Sequence, residues 1–173
     1  MLIQPYQTRW AKDFAQIENI LLETLAPLMV MVHHVGSTAV PDLPAKPILD
    51  IDLAYPAEVV FSDIKKGLKS IGYYHHGNQG IKDREVFKRQ SPTNQQPILD
   101  VVTHHLYVCP AHSEELKRHL LFRDYLRKNT EACEQYAKLK QMIATEANQD
   151  KKLYAQLKEI RARDFIEYIL QKA

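Results

Sequence analysis

In the segment Leu49-Asp50-Ile51-Asp52-Leu53, two acids alternate with apolar residues. Read as a strand, it turns both carboxylates to one side, roughly 6 to 7 Å apart at their Cα atoms. Like charges at that spacing repel unless a cation lies between them. An all-oxygen pair suits Mg²⁺ or Mn²⁺, and Mg²⁺ takes one or two carboxylates and fills its other positions with phosphate oxygens and water. The competing reading makes Asp50 and Asp52 the solvent side of a half-exposed strand over buried Leu49, Ile51 and Leu53. Upstream, Gly36-Ser37-Thr38 directly follows an apolar run. A glycine there lets the backbone approach a phosphate, and hydroxyls add donors. Such a turn alone says little, but here Asp-x-Asp follows in a second apolar strand after residues 38–49.

Several cations could serve the same chemistry. Lys46, between Pro44 and Pro47, could reach a phosphate as a point charge or simply be a solvated loop lysine. Arg84 opens a β-like run, and Arg123 and Arg127 stand one helical turn apart, so each could clamp phosphate or belong to a solvated face. Of these, Arg84 and Arg123 are the preferred candidates. The paired histidines His33-His34, His75-His76 and His104-His105 do not make chelates, because neighbours on a strand face opposite ways. His105 shares its side with Thr103 and Tyr107, where it could hydrogen-bond a substrate or satisfy itself in the core. There is no Gly-x-Ser-x-Gly elbow, so Ser37 reads as a phosphate ligand rather than a nucleophile. Tyr125, Tyr136, Tyr154 and Tyr168 read as core edges with no chemistry.

The elements that must position these residues are marked by periodicity. Trp10, Phe14, Ile17, Leu21 and Leu25 stripe a helix over 8–25, ended by Pro27, and Leu28–Val35 reads as a buried strand. Prolines 41, 44 and 47 leave room only for a short irregular or one-turn helical segment before the strand Ile48–Ala54. Residues 57–71 form an amphipathic crossover helix with Gly72 at its C-cap. From Tyr73 to Val108 the pattern predicts two or three antiparallel strands, interrupted by a polar loop over Ser91–Gln96 and ending with Ile98–Val108. Beyond Pro110 everything is helical: one helix carries Leu116, Leu120 and Leu126, a second Tyr136, Leu139, Ile143 and Ala147, and a last runs over 151–171.

With 173 residues, 45% of them hydrophobic, the sequence supports one core and one domain, 1–173. Its net charge of +2 sets up no global field toward nucleic acid or an anionic membrane, so any anion site must be local. No stretch approaches the roughly 20 apolar residues of a membrane span. Cys109 and Cys133 form no paired motif, and the amino terminus lacks a leader pattern, which points to two free thiols and a cytoplasmic protein.

The order strand, Gly-Ser, Asp-x-Asp resembles the signature of the nucleotidyltransferase superfamily. That resemblance implies an α+β fold, a mixed β-sheet with flanking helices and a helical carboxy-terminal segment. It also implies in-line attack on an α-phosphate with two-metal assistance. Within the superfamily, the run from His34 through Pro41-Asp42-Leu43-Pro44-Ala45-Lys46-Pro47 to Ile51 resembles the hallmark of the GrpB family. Further likeness lies in Pro5-Tyr6, Trp10, Gly72 to Arg89, Thr103-His104-His105-Leu106-Tyr107-Val108, His119 to Leu126 and Tyr136 to Lys140. The superfamily implies a third carboxylate on a later strand, for which Asp100 in Ile98-Leu99-Asp100-Val101-Val102 is the candidate and Glu85 the reserve. Tyr107 stands where the family strand carries a second histidine.

Two functions follow. The first is a Mg²⁺-dependent nucleotidyltransferase acting on an NTP and an unidentified acceptor, with metal ligands Asp50, Asp52 and Asp100. Gly36, Ser37, Thr38, Lys46, Arg84, His105 and Arg123 would bind its substrate. The second is a module of the same fold that holds a nucleotide or coenzyme without turnover. Three facing carboxylates favour the first, two the second.

Overall fold

The computed structural model describes residues 1–90 and 96–172. Helix α1 (Arg9–Leu25) leads into strand β1 (Met31–Val35), a single 3-10 turn (Ser37–Ala39) and strand β2 (Leu49–Tyr55). Helix α2 (Phe61–Ser70) crosses to β3 (Tyr73–His75) and β4 (Glu85–Arg89). A short helix α3 (Pro97–Val101) precedes β5 (His104–Pro110), and four helices close the chain: α4 (Glu114–Lys128), α5 (Thr130–Glu146), α6 (Lys151–Arg161) and α7 (Arg163–Lys172).

The strands form one mixed sheet in the order β1-β2-β5-β4-β3. Among the described residues, only β2 and β5 run parallel. The fold is therefore α+β, as the sequence predicts. Register assigns the faces, because directly paired residues point the same way. Leu49, Ile51 and Leu53 lie opposite His104, Leu106 and Val108, and this side packs on Ile17, Leu21 and Leu25 of α1 and Ile64 and Leu68 of α2. Fully burying one such aliphatic side chain is worth about 1.5–3 kcal/mol, so this face anchors the sheet. The other face carries Asp50 and Asp52 beside His105 and Tyr107 on β5 and beside Val35 and His33 on β1.

Helices α4 to α7 roof that second face. Leu116 of α4 packs on Ala54 and Cys109, and Leu126, Tyr136 and Ile169 pack with Val40 and Leu43 of the loop between β1 and β2. Asp52 is thus not on the open side of a half-exposed strand, since it is only 1% exposed, while Asp50 is half-buried. Cys109 and Cys133 are free and buried. Among the described residues, no helix is long and apolar enough to cross a membrane.

Several boundaries differ from the periodicity reading. The strand begins at Met31 rather than Leu28, and α2 begins at Phe61 because Pro56 to Val60 form an extended and turning segment. Gly72 does follow α2, with φ +88° and its N–H donating to the Lys69 carbonyl, a left-handed exit that glycine favours. The expected strand Ile98–Val108 is a helix in its first part. Pro97 occupies the first turn of α3, where its missing N–H is harmless, and Asp100 adds negative charge near the helix N-terminus. The last helix is broken at Ala162. Of the loop predicted over Ser91–Gln96, residues 91–95 lie outside the described residues.

Candidate functional site

Gly36 ends β1 with φ +70° and ψ −169°, a conformation confined essentially to glycine. A Cβ there would lie 2.3 Å from Asp50 Oδ2, so the turn and the carboxylate are fitted to each other. From the turn, Ser37 faces α5. Lys140, 1% exposed, donates from Nζ to Ser37 Oγ at 3.0 Å and also to the Pro44 carbonyl, with its ammonium 4.9 Å from the Tyr136 ring centroid. Burial pushes the Lys140 pKa down to about 7. Thr38 Oγ1 and His34 Nε2 are hydrogen-bonded at 3.0 Å. Burial holds the His34 pKa near 4, so that imidazole is neutral.

The two acids have different surroundings. His105 donates from Nδ1 to Asp50 Oδ1 at 3.0 Å. Burial would raise the Asp50 pKa, but that hydrogen bond and the charges of His105, Lys158 and His119 outweigh it and keep the carboxyl ionised below its usual range. Asp52 is sealed beneath α4, where His119 donates from Nδ1 to its Oδ2 at 2.7 Å and from Nε2 to Glu115 Oε1 at 3.3 Å. Burial, the largest influence on His119, opposes its charge. The two acceptors prevail, raising the pKa to about 9 and fixing an imidazolium between two carboxylates. Asp52 Oδ1 is buried without a hydrogen-bond partner. Such an orphaned carboxylate oxygen is costly unless a further ligand completes it.

Two cavities meet at Asp50, with Ser37 and Lys158 also common to both. One, of about 230 Å³, is walled by Lys46, Lys140, Lys158, Ser37, Thr38 and His105. Lys46 sits 5.2 Å from the Tyr154 ring centroid there. The other, of about 300 Å³, lies toward Arg84, Tyr107, Glu115, Arg118 and His119, with Phe122, Ile166 and Leu170 as apolar wall. Gly36, Ser37, Thr38, Lys46, Asp50, Arg84 and His105 therefore each line one or other of these adjoining cavities, whereas Asp52 lines neither and lies against His119 of α4.

Asp100 is not gathered there. It pairs with Arg89, whose Nε donates to Asp100 Oδ1 at 3.1 Å, at a separate hollow lined by Lys88, Leu99 and His104. The reserve acid Glu85 pairs with Val108 in the sheet, so it lies on the core face, 2.5 Å from His75 Nε2. The positions beside the acids on β5 belong to His105 and Tyr107. Nor does Arg123 line either cavity. Its Nη1 donates to the His34 carbonyl at 3.0 Å and its Nε to Asp124 at 2.7 Å, while Arg127 Nε donates to the Ala39 carbonyl at 2.9 Å. These arginines staple α4 to the backbone on either side of the Gly-Ser turn. Sequence reasoning missed Glu115, His119, Tyr136, Lys140 and Lys158, all from the roof. The available signal for the first two was an acid and a histidine four residues apart on a helix.

Among the described residues, no group of three or more His, Cys, Asp or Glu is placed to hold an ion. Asp50 and Asp52 supply two carboxylates, which fits one Mg²⁺ whose remaining positions are filled by substrate oxygens and water.

The GrpB protein family model matches residues 1–172. The glutamate-rich protein GrpB of Alkalihalophilus pseudofirmus is 29% identical over 177 residues, covering 99% of this chain and 95% of that protein. The UPF0157 protein YqkA of Bacillus subtilis is 32% identical over 141 residues, covering 82% of this chain but only 39% of YqkA, so the chain spans well under half of that relative. The UPF0157 protein PA4798 of Pseudomonas aeruginosa is 32% identical and is covered over 62% of its length. Among solved structures, the conserved protein GrpB from Enterococcus faecalis superposes with TM-score 0.78 at 27% identity over 98% of both chains. The Cid1 poly(U) polymerase, solved with MgGTP bound, superposes with TM-score 0.58 at 13% identity over 83% of this chain and 44% of Cid1, a likeness of fold.

Proposed function

This chain belongs to the GrpB family, and we propose that in it the Asp50–Asp52 face binds a magnesium-complexed nucleoside triphosphate and transfers the nucleotidyl group to an acceptor. One observation carries the reading: Asp50 lines a cavity walled by Ser37 and three lysines, and Asp52, on the same face of β2, keeps a buried Oδ1 without a hydrogen-bond partner. A carboxylate pair next to concentrated positive charge is what a metal–polyphosphate complex needs, while the net charge of +2 offers no general attraction for anions. When bound, the ion would screen the phosphate oxygens and polarise the α-phosphorus.

The chain's own residues do the rest. Lys46, Lys140 and Lys158 neutralise the triphosphate, and the Ser37 hydroxyl, held by Lys140, adds a hydrogen bond. An anion beside Lys140 restores the protonated form that burial disfavours, so binding the triphosphate takes up a proton near neutral pH. His105 orients Asp50, and His119 orients Asp52 and leaves its Oδ1 directed elsewhere. The acceptor oxygen attacks the α-phosphorus in line, the bond to the bridging oxygen breaks, and pyrophosphate leaves.

A second reading, binding without turnover, is favoured by one finding: Asp100 pairs with Arg89 away from the site, so it does not join Asp50 and Asp52, and Glu115 on the cavity wall is held by His119. Calorimetric titration with the four NTPs, with and without Mg²⁺, tests what both readings share. Metal-dependent binding that is lost in an Asp50→Ala, Asp52→Ala double variant supports the site. No binding, or equal binding by the folded double variant, removes it. Pyrophosphate release from the bound complex separates transfer from storage.

A further inference from the structure

The second cavity has a chemistry of its own. Arg84 precedes β4 on the parity of Val86, which pairs with Tyr107, so its side chain belongs to the site face. Its guanidinium lies 4.7 Å from the Tyr107 ring centroid, and its Nε is buried without a hydrogen-bond partner. Neighbouring arginines are spoken for: Arg118 pairs with Glu167 at 2.7 Å and Arg123 with Asp124 at 2.7 Å. Among the described residues, no carboxylate lies within ion-pair distance of Arg84. Glu115, on the same wall, is engaged by His119 at 3.3 Å. An arginine fixed against an aromatic ring, with a buried donor left over, offers a planar fork to an oxyanion.

We infer that Arg84 receives a carboxylate or phosphate group of the second substrate, so that the acceptor is a small anionic molecule. This rests on the nucleotidyl-transfer reading, which places the triphosphate in the lysine cavity across Asp50. The two cavities touch only at Ser37, Asp50 and Lys158, so groups bound in each would meet at the carboxylate. The volume of about 300 Å³ is at the small end for ligand pockets, and Phe122, Ile166 and Leu170 suit a compact apolar body behind the anionic group.

The test uses three probes by calorimetry. Inorganic triphosphate first saturates the lysine cavity of the wild type, Arg84→Gln, Arg84→Lys and Lys140→Met, with circular dichroism confirming that each is folded. Inorganic phosphate and, separately, malonate are then titrated into the saturated proteins. At least one probe binds the saturated wild type, and Arg84→Gln weakens it by at least about tenfold while triphosphate affinity stays within about twofold. Arg84→Lys, keeping charge but losing the fork, recovers only part of the loss. Lys140→Met does the reverse, weakening triphosphate alone. A response to phosphate only points to a phosphorylated acceptor, and to malonate only, a carboxylic acid. Neither probe binding, unchanged binding by Arg84→Gln, or displacement of triphosphate by the probes overturns the inference. If triphosphate fails to bind while a probe still depends on Arg84, the nucleotidyl reading falls and the Arg84 site stands.

Discussion

Replacing Gly36 with alanine places a methyl group where Asp50 already is. The added Cβ would lie 2.3 Å from Oδ2 and 3.0 Å from both Cβ and Cγ of Asp50, and the backbone at φ +70° is one that L residues avoid. Backbone strain of this kind costs about 1–3 kcal/mol. Forcing a methyl into a filled space adds about 1–3 kcal/mol. Part of the second cost is relieved if Asp50 swings away, which leaves a net destabilisation of about 2–4 kcal/mol and breaks the bond from His105. Gly77→Ala is the control, since φ is +78° there but nothing lies within 4 Å of the new Cβ. Urea denaturation reads both variants. With an m-value of about 2 kcal/mol per molar, Gly36→Ala lowers the midpoint by about 1–2 M, clearly more than Gly77→Ala. Metal-dependent nucleotide binding falls with it in Gly36→Ala alone. Equal midpoints for the two variants would refute the claim that the turn and Asp50 are fitted to each other.

Asp100→Ala leaves nucleotide binding unchanged but costs about 2–3 kcal/mol in urea unfolding, because it removes the carboxylate partner of the largely buried Arg89. A loss of nucleotide binding without loss of stability would return Asp100 to the site. Lys140 and His119 give opposite pH dependences. The folded state holds fewer protons than the unfolded chain at Lys140 between about pH 7 and 10.5, so that residue makes stability rise with pH across the window. The folded state holds more protons at His119 between pH 6.5 and about 9, so its contribution is complete below 6.5 and is lost as pH rises through 9. Relative to wild type, Lys140→Met therefore loses the upward trend and His119→Gln loses the downward one, as read from urea midpoints at pH 6, 7.5 and 9. Arg127→Ala, which removes the bond to the Ala39 carbonyl, destabilises the protein by about 1–2 kcal/mol and weakens nucleotide binding through the turn, without touching the ligand.

Much of the sheet face was legible because alternation on a strand is a local property. The sequence Leu49-Asp50-Ile51-Asp52-Leu53 already places both acids on one side, and the register confirms it, with His105 and Tyr107 sharing their parity. The same rule separates His33 and His105 from His34 and His104. What the pattern could not supply was the roof. Tyr136, Lys140, Tyr154 and Lys158 sit on helices whose apolar stripes looked like ordinary core edges, and a lysine folded inward over a tyrosine ring has no one-dimensional mark. Asp100 was misplaced because Ile98 to Val102 is apolar enough for a buried strand, whereas Pro97 and the Arg89 pairing hold it in a turn of helix. Short apolar runs carry that ambiguity by nature. Arg123 had the right neighbourhood and another task, since its reach to the His34 carbonyl depends on the angle at which α4 crosses β1.

The central claim is that Asp50 and Asp52 hold a divalent ion together with a nucleotide. Mn²⁺ can stand in for Mg²⁺, and the relaxation of water protons in solutions of Mn²⁺ and ATP reports whether the ion becomes fixed to the protein. The account predicts a large enhancement when wild type is added to Mn²⁺–ATP, reversed by excess Mg²⁺–ATP and absent in folded Asp50→Asn, Asp52→Asn. An enhancement of equal size in that double variant, or none in the wild type, would contradict it.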